Sequence, residues 1–171
     1  MRILVGIDEY PESAATLRAG IELCEALGAE LSIVHAVALA QPAAFDVPDL
    51  SAVRGAALEK VQPEICKRVN EWTGGTAWDG RDLGSSVAVV AGRPAQVLSA
   101  QAAELSADII LIGPHRKHGV FDFGNTMRNT FAAAHTPIWV QVGDWKRPKK
   151  ILAPIDLSPV AKAAWVASPN F

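Results

Sequence analysis

The chain is predicted to fold as an α/β domain built on an open five-stranded parallel sheet with helices on both faces. Three observations predict this. Short apolar runs rich in Val and Ile, typical of strands buried on both faces, alternate with stretches whose apolar residues recur at helical spacing. The joints between them are mostly short and carry Gly or Pro, as right-handed βαβ crossovers require. Half of the 171 residues are hydrophobic and a fifth are charged, which is a globular composition with room for one good core.

Arg2 to Ile7, RILVGI, is the first strand, and Asp8 stands at its carboxyl end. Pro11 and Glu12 suit the start of a helix, whose apolar positions Leu17, Ile21 and Cys24 lead to a stop at Gly28. Leu31 to Val37, LSIVHAV, is the second strand, in which His35 reads as a satisfied core histidine. An Ala- and Pro-rich loop from Ala38 to Asp49 precedes a long helical pattern through Leu50, Val53, Ala57, Val61, Ile65, Val69 and Trp72. Pro63 inside that pattern is expected to kink or split it, and Thr73-Gly74-Gly75 ends it. Ser86 to Ala91 is the third strand, followed by Gly92 and a helix from Pro94 through Leu105. Ile109 to Ile112 is the fourth strand. A fifth runs from Pro137 to Val142, where the leading Pro and the alternation of Ile138, Val140 and Val142 with Trp139 and Gln141 mark an edge.

Sixteen basic and eighteen acidic residues leave a net charge of -2 and a pI near 6.1, which gives no ground for a general nucleic-acid or membrane binder. The N-terminus reaches Asp8 too soon for a signal-peptide core, and no apolar run is long enough to span a bilayer, so a cytoplasmic protein is expected. Cys24 and Cys66 lie in helical patterns without CxxC spacing and read as buried free thiols. No P-loop, no GxSxG elbow and no paired Cys/His ligands occur, and an ordinary enzyme is not expected.

Chemistry concentrates after the fourth strand. There Gly113-Pro114 leads into His115, Arg116, Lys117 and His118, and Gly124-Asn125-Thr126 opens a helix with the apolar stripe Met127, Thr130, Phe131 and Ala134. Strand, loop and helix N-terminus in that order can hold an anion, because the first-turn N–H groups lack internal partners and the helix dipole favours negative charge. Phosphate is the obvious ligand. The same order also describes an ordinary βα connection, and both readings stand. If strands one and four are neighbours, the crevice at their carboxyl ends brings Asp8 and the Gly113 loop together.

After Gly143 the chain changes character. Residues 144–149 read as a basic, Pro-containing linker. Ile151-Leu152, Ile155-Asp156, Pro159 and Ala163 then repeat Ile3-Leu4, Ile7-Asp8, Pro11 and Ala15 at a constant offset of 148. The expected organisation is one domain over 1–143, a linker over 144–149, and the truncated start of a second repeat over 150–171.

VGIDEYPES after strand one, IVHAV, VVAGRP, and ADIILIGPHRKHGVFDFGNTMRNTFAAAHTPIWVQV together resemble the universal stress protein family over Met1 to Val142. The resemblance implies strand order 3-2-1-4-5, a fold of the adenine-nucleotide alpha-hydrolase-like kind, a tandem-type member, and a homodimer formed through the fifth-strand edge at Ile138, Trp139 and Val140. The family's ATP-binding members carry Gly, two residues, Gly, nine residues, then Gly with Ser or Thr. Here Gly113 is present, but Arg116 takes the second glycine position, seven residues separate it from Gly124, and Asn125 replaces Ser or Thr. Arg brings a Cβ and a bulky side chain where glycine permits close backbone approach, so weak or absent ATP binding is expected. Asp8, Ala36 and Gly92 correspond to adenosine-side positions, and His115, Arg116, Gly124, Asn125 and Thr126 would complete the site if ATP, ADP or AMP binds. Arg116 would then grip phosphate. The resemblance thus implies a dimeric stress-response module with at most weak ATPase activity, no assigned cofactor and no metal.

Overall fold

The computed structural model describes residues 1–38, 50–114, 116–117, 120–121, 128–130, 132, 134–146, 148–150 and 152. Strand β1 (Arg2–Ile7) is followed by α1 (Ser13–Leu27), β2 (Glu30–Val37) and α2 (Leu50–Thr73). A hairpin of β3 (Ala77–Trp78) and β4 (Arg81–Asp82) precedes β5 (Val87–Ala91), α3 (Pro94–Glu104) and β6 (Ile109–Ile112). Two short strands, β7 (Arg116–Lys117) and β8 (Val120–Phe121), form a second hairpin, and β9 (Ile138–Val140) completes the set.

The main sheet has five parallel strands in the order β5-β2-β1-β6-β9. With the two hairpins set aside, this is the predicted 3-2-1-4-5. Its direction of winding reverses between β1 and β6, where Gly6 pairs with Ile112. β1 lies at the centre, and its alternating side chains divide the core. Ile3, Val5 and Ile7 pack with Leu17, Ile65, Val69 and Leu111 beneath α1 and α2, while Leu4 packs with Val34, Val97, Leu98 and Ile110 beneath α3. Each fully buried aliphatic side chain of this kind contributes roughly 1.5–3 kcal/mol to folding.

Two elements differ from expectation. Of the two outcomes expected at Pro63, a kink or a split, the split does not occur: α2 is one helix from Leu50 to Thr73. The N–H that proline lacks is outweighed by the burial of Ile65 and Val69 just beyond it, at 2% and 0% exposure. The fifth strand is shorter than the span Pro137 to Val142, although pairing continues past its ends: Ile110 N donates to Pro137 O and Gln141 N to Ile112 O. The β3–β4 hairpin was not expected. Asp79 and Gly80, at φ 50° and 73°, make its two-residue turn, the mirror-image type whose twist suits paired strands.

His35 is a core histidine, as predicted. It is buried, and its Nδ1 lies 3.0 Å from Ile7 O, so that this nitrogen donates. Cys24 and Cys66 are free thiols, Cys24 buried and Cys66 half-buried. Among the described residues no helix is long and apolar enough to cross a membrane. Of the predicted final helix, residues 128–130 are helical and Thr130 is fully buried. Met127 and Phe131 lie outside the described residues, as does the repeat over 151–171 apart from Leu152, and most of the loop Ala38 to Asp49.

Candidate functional site

The winding reversal opens a crevice beyond the carboxyl ends of β1, β2 and β6. Gly6, Ile7 and Asp8 from β1 and its end, Val34 and Ala36 from β2, Leu98 from α3, and Ile112, Gly113 and Pro114 from β6 and its exit enclose about 250 Å³. The floor is apolar because these residues also build the core beneath it. Polar groups come from the β1–α1 turn, which adds Asp8, Tyr10, Glu12 and Ser13.

Asp8 holds that turn together. Its Oδ1 accepts from Ser13 Oγ at 2.6 Å and from Tyr10 N at 3.0 Å, while Asp8 N donates to Ser13 Oγ at 2.9 Å. A carboxylate at this position therefore has a structural use independent of any ligand. Gly113 is equally constrained: a Cβ there would lie 2.6 Å from Thr16 Oγ1 on the first turn of α1. Of the predicted site residues, Asp8, Ala36 and Gly113 meet in one cavity. Gly92 stands instead at the end of β5, where its N–H donates to Val37 O at 2.9 Å. Arg116 belongs to the hairpin, with its backbone paired to Phe121. His115, Gly124, Asn125 and Thr126 lie outside the described residues.

Sequence reasoning did not find Tyr10, Ser13 and Leu98 as crevice residues. For Ser13 the signal was present, since a serine five residues beyond an aspartate at a strand–helix joint is a natural turn donor. No comparable signal marks Leu98, which reaches the crevice only because α3 packs across β1 and β2.

The sequence profile of the universal stress protein family matches residues 1–141. The chain belongs to the universal stress protein family. No curated protein sequence matches it. Among solved structures it is similar to the universal stress protein UspA from Lactobacillus plantarum, at 18% identity and a TM-score of 0.61, over 81% of this chain and 95% of that one. It is also similar to a universal stress protein in complex with cAMP, at 18% identity and a TM-score of 0.54, covering 82% of this chain and 95% of the other. Protein PA1789 from Pseudomonas aeruginosa PAO1, described as functionally unknown, matches at 14% identity and a TM-score of 0.56, over 84% of this chain but 47% of its own.

In this universal stress protein a second concavity lies at the opposite, amino end of the sheet. It is open and holds about 950 Å³, with Glu25, Glu30, Trp78 and Asp79 among its lining residues and none of the predicted site residues. Beside it Arg2 ties three elements together: its side chain donates to Glu30 and to Leu105 O, and its backbone N donates to Asp108 Oδ2 at 2.7 Å. The Arg2 hydrogen bond, helped by the Arg2 charge, holds the Glu30 carboxyl below the usual carboxylate range. Burial, reinforced by the neighbouring charge of Glu25, pushes the Cys24 thiol up to about 12. Among the described residues, no cluster of three or more His, Cys, Asp or Glu could hold a metal ion.

Proposed function

We propose that this universal stress protein is a dimeric regulatory module of the cytoplasmic stress response that binds ATP weakly or not at all and acts through protein contact. The observation that supports this reading is the pairing of Arg116 with Phe121 and of Lys117 with Val120. Shortly after Gly113-Pro114, Arg116–Lys117 is tied up in antiparallel pairing with Val120–Phe121, whereas cradling a triphosphate calls for open backbone with glycine at close approach. Arg116 at the second glycine position and the loop two residues short of the ATP-binding pattern point the same way. The crevice of about 250 Å³ is also below the roughly 300–1,000 Å³ typical of ligand pockets.

Dimerisation is proposed through the edge of β9, the terminal strand of the sheet, with Ile138, Trp139 and Val140 at the contact. The offset repeat from Ile151 supports a tandem organisation, and so does the match to only 47% of the longer PA1789 chain.

A second reading has its own support. Asp8, Ala36 and Gly113 do meet in one cavity, and a structural neighbour is known in complex with cAMP. Under that reading ATP, ADP or AMP enters the crevice, with phosphate held by the Gly113–Gly124 loop and Arg116, and any hydrolysis is weak.

The deciding experiment is nucleotide identification on freshly purified protein, by heat denaturation and ion-exchange analysis of the supernatant. Titration calorimetry with ATP and magnesium accompanies it. The proposal expects an empty supernatant and a Kd weaker than about 1 mM, corresponding to roughly -4 kcal/mol. Stoichiometric nucleotide would overturn it and make Arg116→Ala the next variant to measure.

A further inference from the structure

The amino-end concavity and the chain beyond β9 carry opposite charge. The concavity, about 950 Å³ and open, is walled by the last turn of α1, the β3–β4 hairpin and the end of α3. Half-buried Leu31, Trp78 and Leu105 give it apolar surface, while Glu25, Glu30 and Asp79 give it carboxylates. No Lys or Arg lines it among the described residues. Arg2, beside it, is committed to Glu30 and to Leu105 O. Glu25 and Asp79 are exposed and form no ion pair among the described residues. Neither helix that ends here has a basic residue in its last turn, so the negative ends of both dipoles add to the same field.

The complementary charge follows Trp145, where residues 146–150 read Lys-Arg-Pro-Lys-Lys. Lys146, Lys149 and Lys150 are exposed and likewise form no ion pair among the described residues. None of them lines the concavity of its own chain, which flanks β2 and β5. Trp145 packs instead on Trp139 of β9, and β9 and β5 are opposite edges of the sheet. Pro148 favours an extended path, along which five residues span about 15 Å.

We propose that the amino-end concavity docks the basic segment 146–150 of a second copy of this chain. Glu25 and Asp79 take the cationic groups, Trp78 supplies an aromatic surface for one of them, and the lysine stems cover the apolar wall. Groove and segment are different surfaces, so each copy offers both and copies join head to tail, independently of the β9 edge. A contact held by charge weakens as salt screens it.

Sedimentation velocity of the full chain, over a dilution series at low and at high salt, tests the docking. The native protein is compared with Glu25→Lys/Asp79→Asn and with Lys149→Glu/Lys150→Glu; asparagine before Gly80 suits the hairpin turn. The native chain should associate at low salt beyond any salt-insensitive dimer, and each variant should lose that association by roughly tenfold or more in dissociation constant. Mixing the two variants should restore a one-to-one contact, because one keeps the segment and the other keeps the groove. A synthetic peptide of residues 146–150 should compete with the native association, a readout that needs no variant to fold. Native sedimentation that ignores salt, variants that associate as the native chain does, or a mixture that stays apart would overturn the docking. Peptide binding without self-association would overturn the second copy as its occupant. Each of these results leaves the proposed β9 dimer and weak nucleotide binding to their own tests.

Discussion

Thr16 Oγ1 lies 2.6 Å from the point where a side chain on Gly113 would begin. The first turn of α1 and the exit of β6 approach so closely that a side chain at 113 makes Thr16 shift, whether or not phosphate binds beside it. Thr16 is 1% exposed, and its hydroxyl has no hydrogen-bond partner among the described residues.

Gly113→Ala is therefore expected to lose about 1–3 kcal/mol of stability, as overpacking of a tight site does. Combining it with Thr16→Ala, which clears the space, should recover a substantial part of the loss. Urea denaturation of the two single variants and the double variant measures the coupling. Strict additivity would show that the two residues do not press on each other.

Asp8 is expected to matter for folding before it matters for any ligand. Asp8→Ala removes the acceptor of both Ser13 Oγ and Tyr10 N and should cost about 1–2 kcal/mol. Asp8→Asn keeps an acceptor oxygen and should retain most of that stability. Thermal melts of the ligand-free proteins read the difference, and identical melting temperatures would deny Asp8 its role in the turn.

Glu30 gives stability an acid limb. Its pKa is lowered in the folded state, first by the Arg2 hydrogen bond and then by the Arg2 charge. The folded protein thus binds this proton less readily than the unfolded chain does. The contribution is fully present above the ordinary carboxylate pKa and is lost as pH falls through the lowered folded value. Glu30→Gln should flatten stability against pH in that window and should leave the neutral-pH salt dependence weaker than in the native protein. Denaturation series at several acidic pH values check it.

Cys24 acts at the other end of the scale. Its pKa rises from an ordinary 9.0 to about 12, with burial the larger cause and Glu25 the smaller. Because the folded state keeps the proton that the unfolded chain releases, this contribution is intact below about pH 9 and declines as pH rises toward 12. The same burial predicts two classes of thiol toward a disulfide reagent at pH 8. Half-buried Cys66 should react readily in the native protein, and Cys24 only at the rate of unfolding. Two equally fast thiols would contradict the packing of α1.

Legibility followed the range of the interaction. The strands could be read because an apolar run such as Ile109 to Ile112 must be buried on both faces wherever it occurs, and Gly and Pro mark the joints, whereas their order came from the family resemblance. Asp8 could be placed at the crevice mouth because it follows β1 directly. Its bond to Ser13 went unread although the serine is only five residues away, and the Asp79-Gly80 hairpin went unread despite a known turn dipeptide. In both cases the signal was local and weak beside the hydrophobic pattern.

By itself, then, the amino-acid sequence determined an α/β domain of the universal stress protein kind, its sheet order, and a crevice near Asp8 and Gly113. The α/β alternation follows from periodicity and from punctuation by Gly and Pro, while the family, the sheet order and the meeting of Asp8 with Gly113 follow from the resemblance carried by several short motifs. Only the tertiary structure decided that Thr16 crowds position 113, that Arg116 pairs with Phe121 in a hairpin, and that Trp145 returns to pack against Trp139. Such contacts depend on how helices and exiting chain pack on a finished sheet, and no period or local motif records which surfaces will meet.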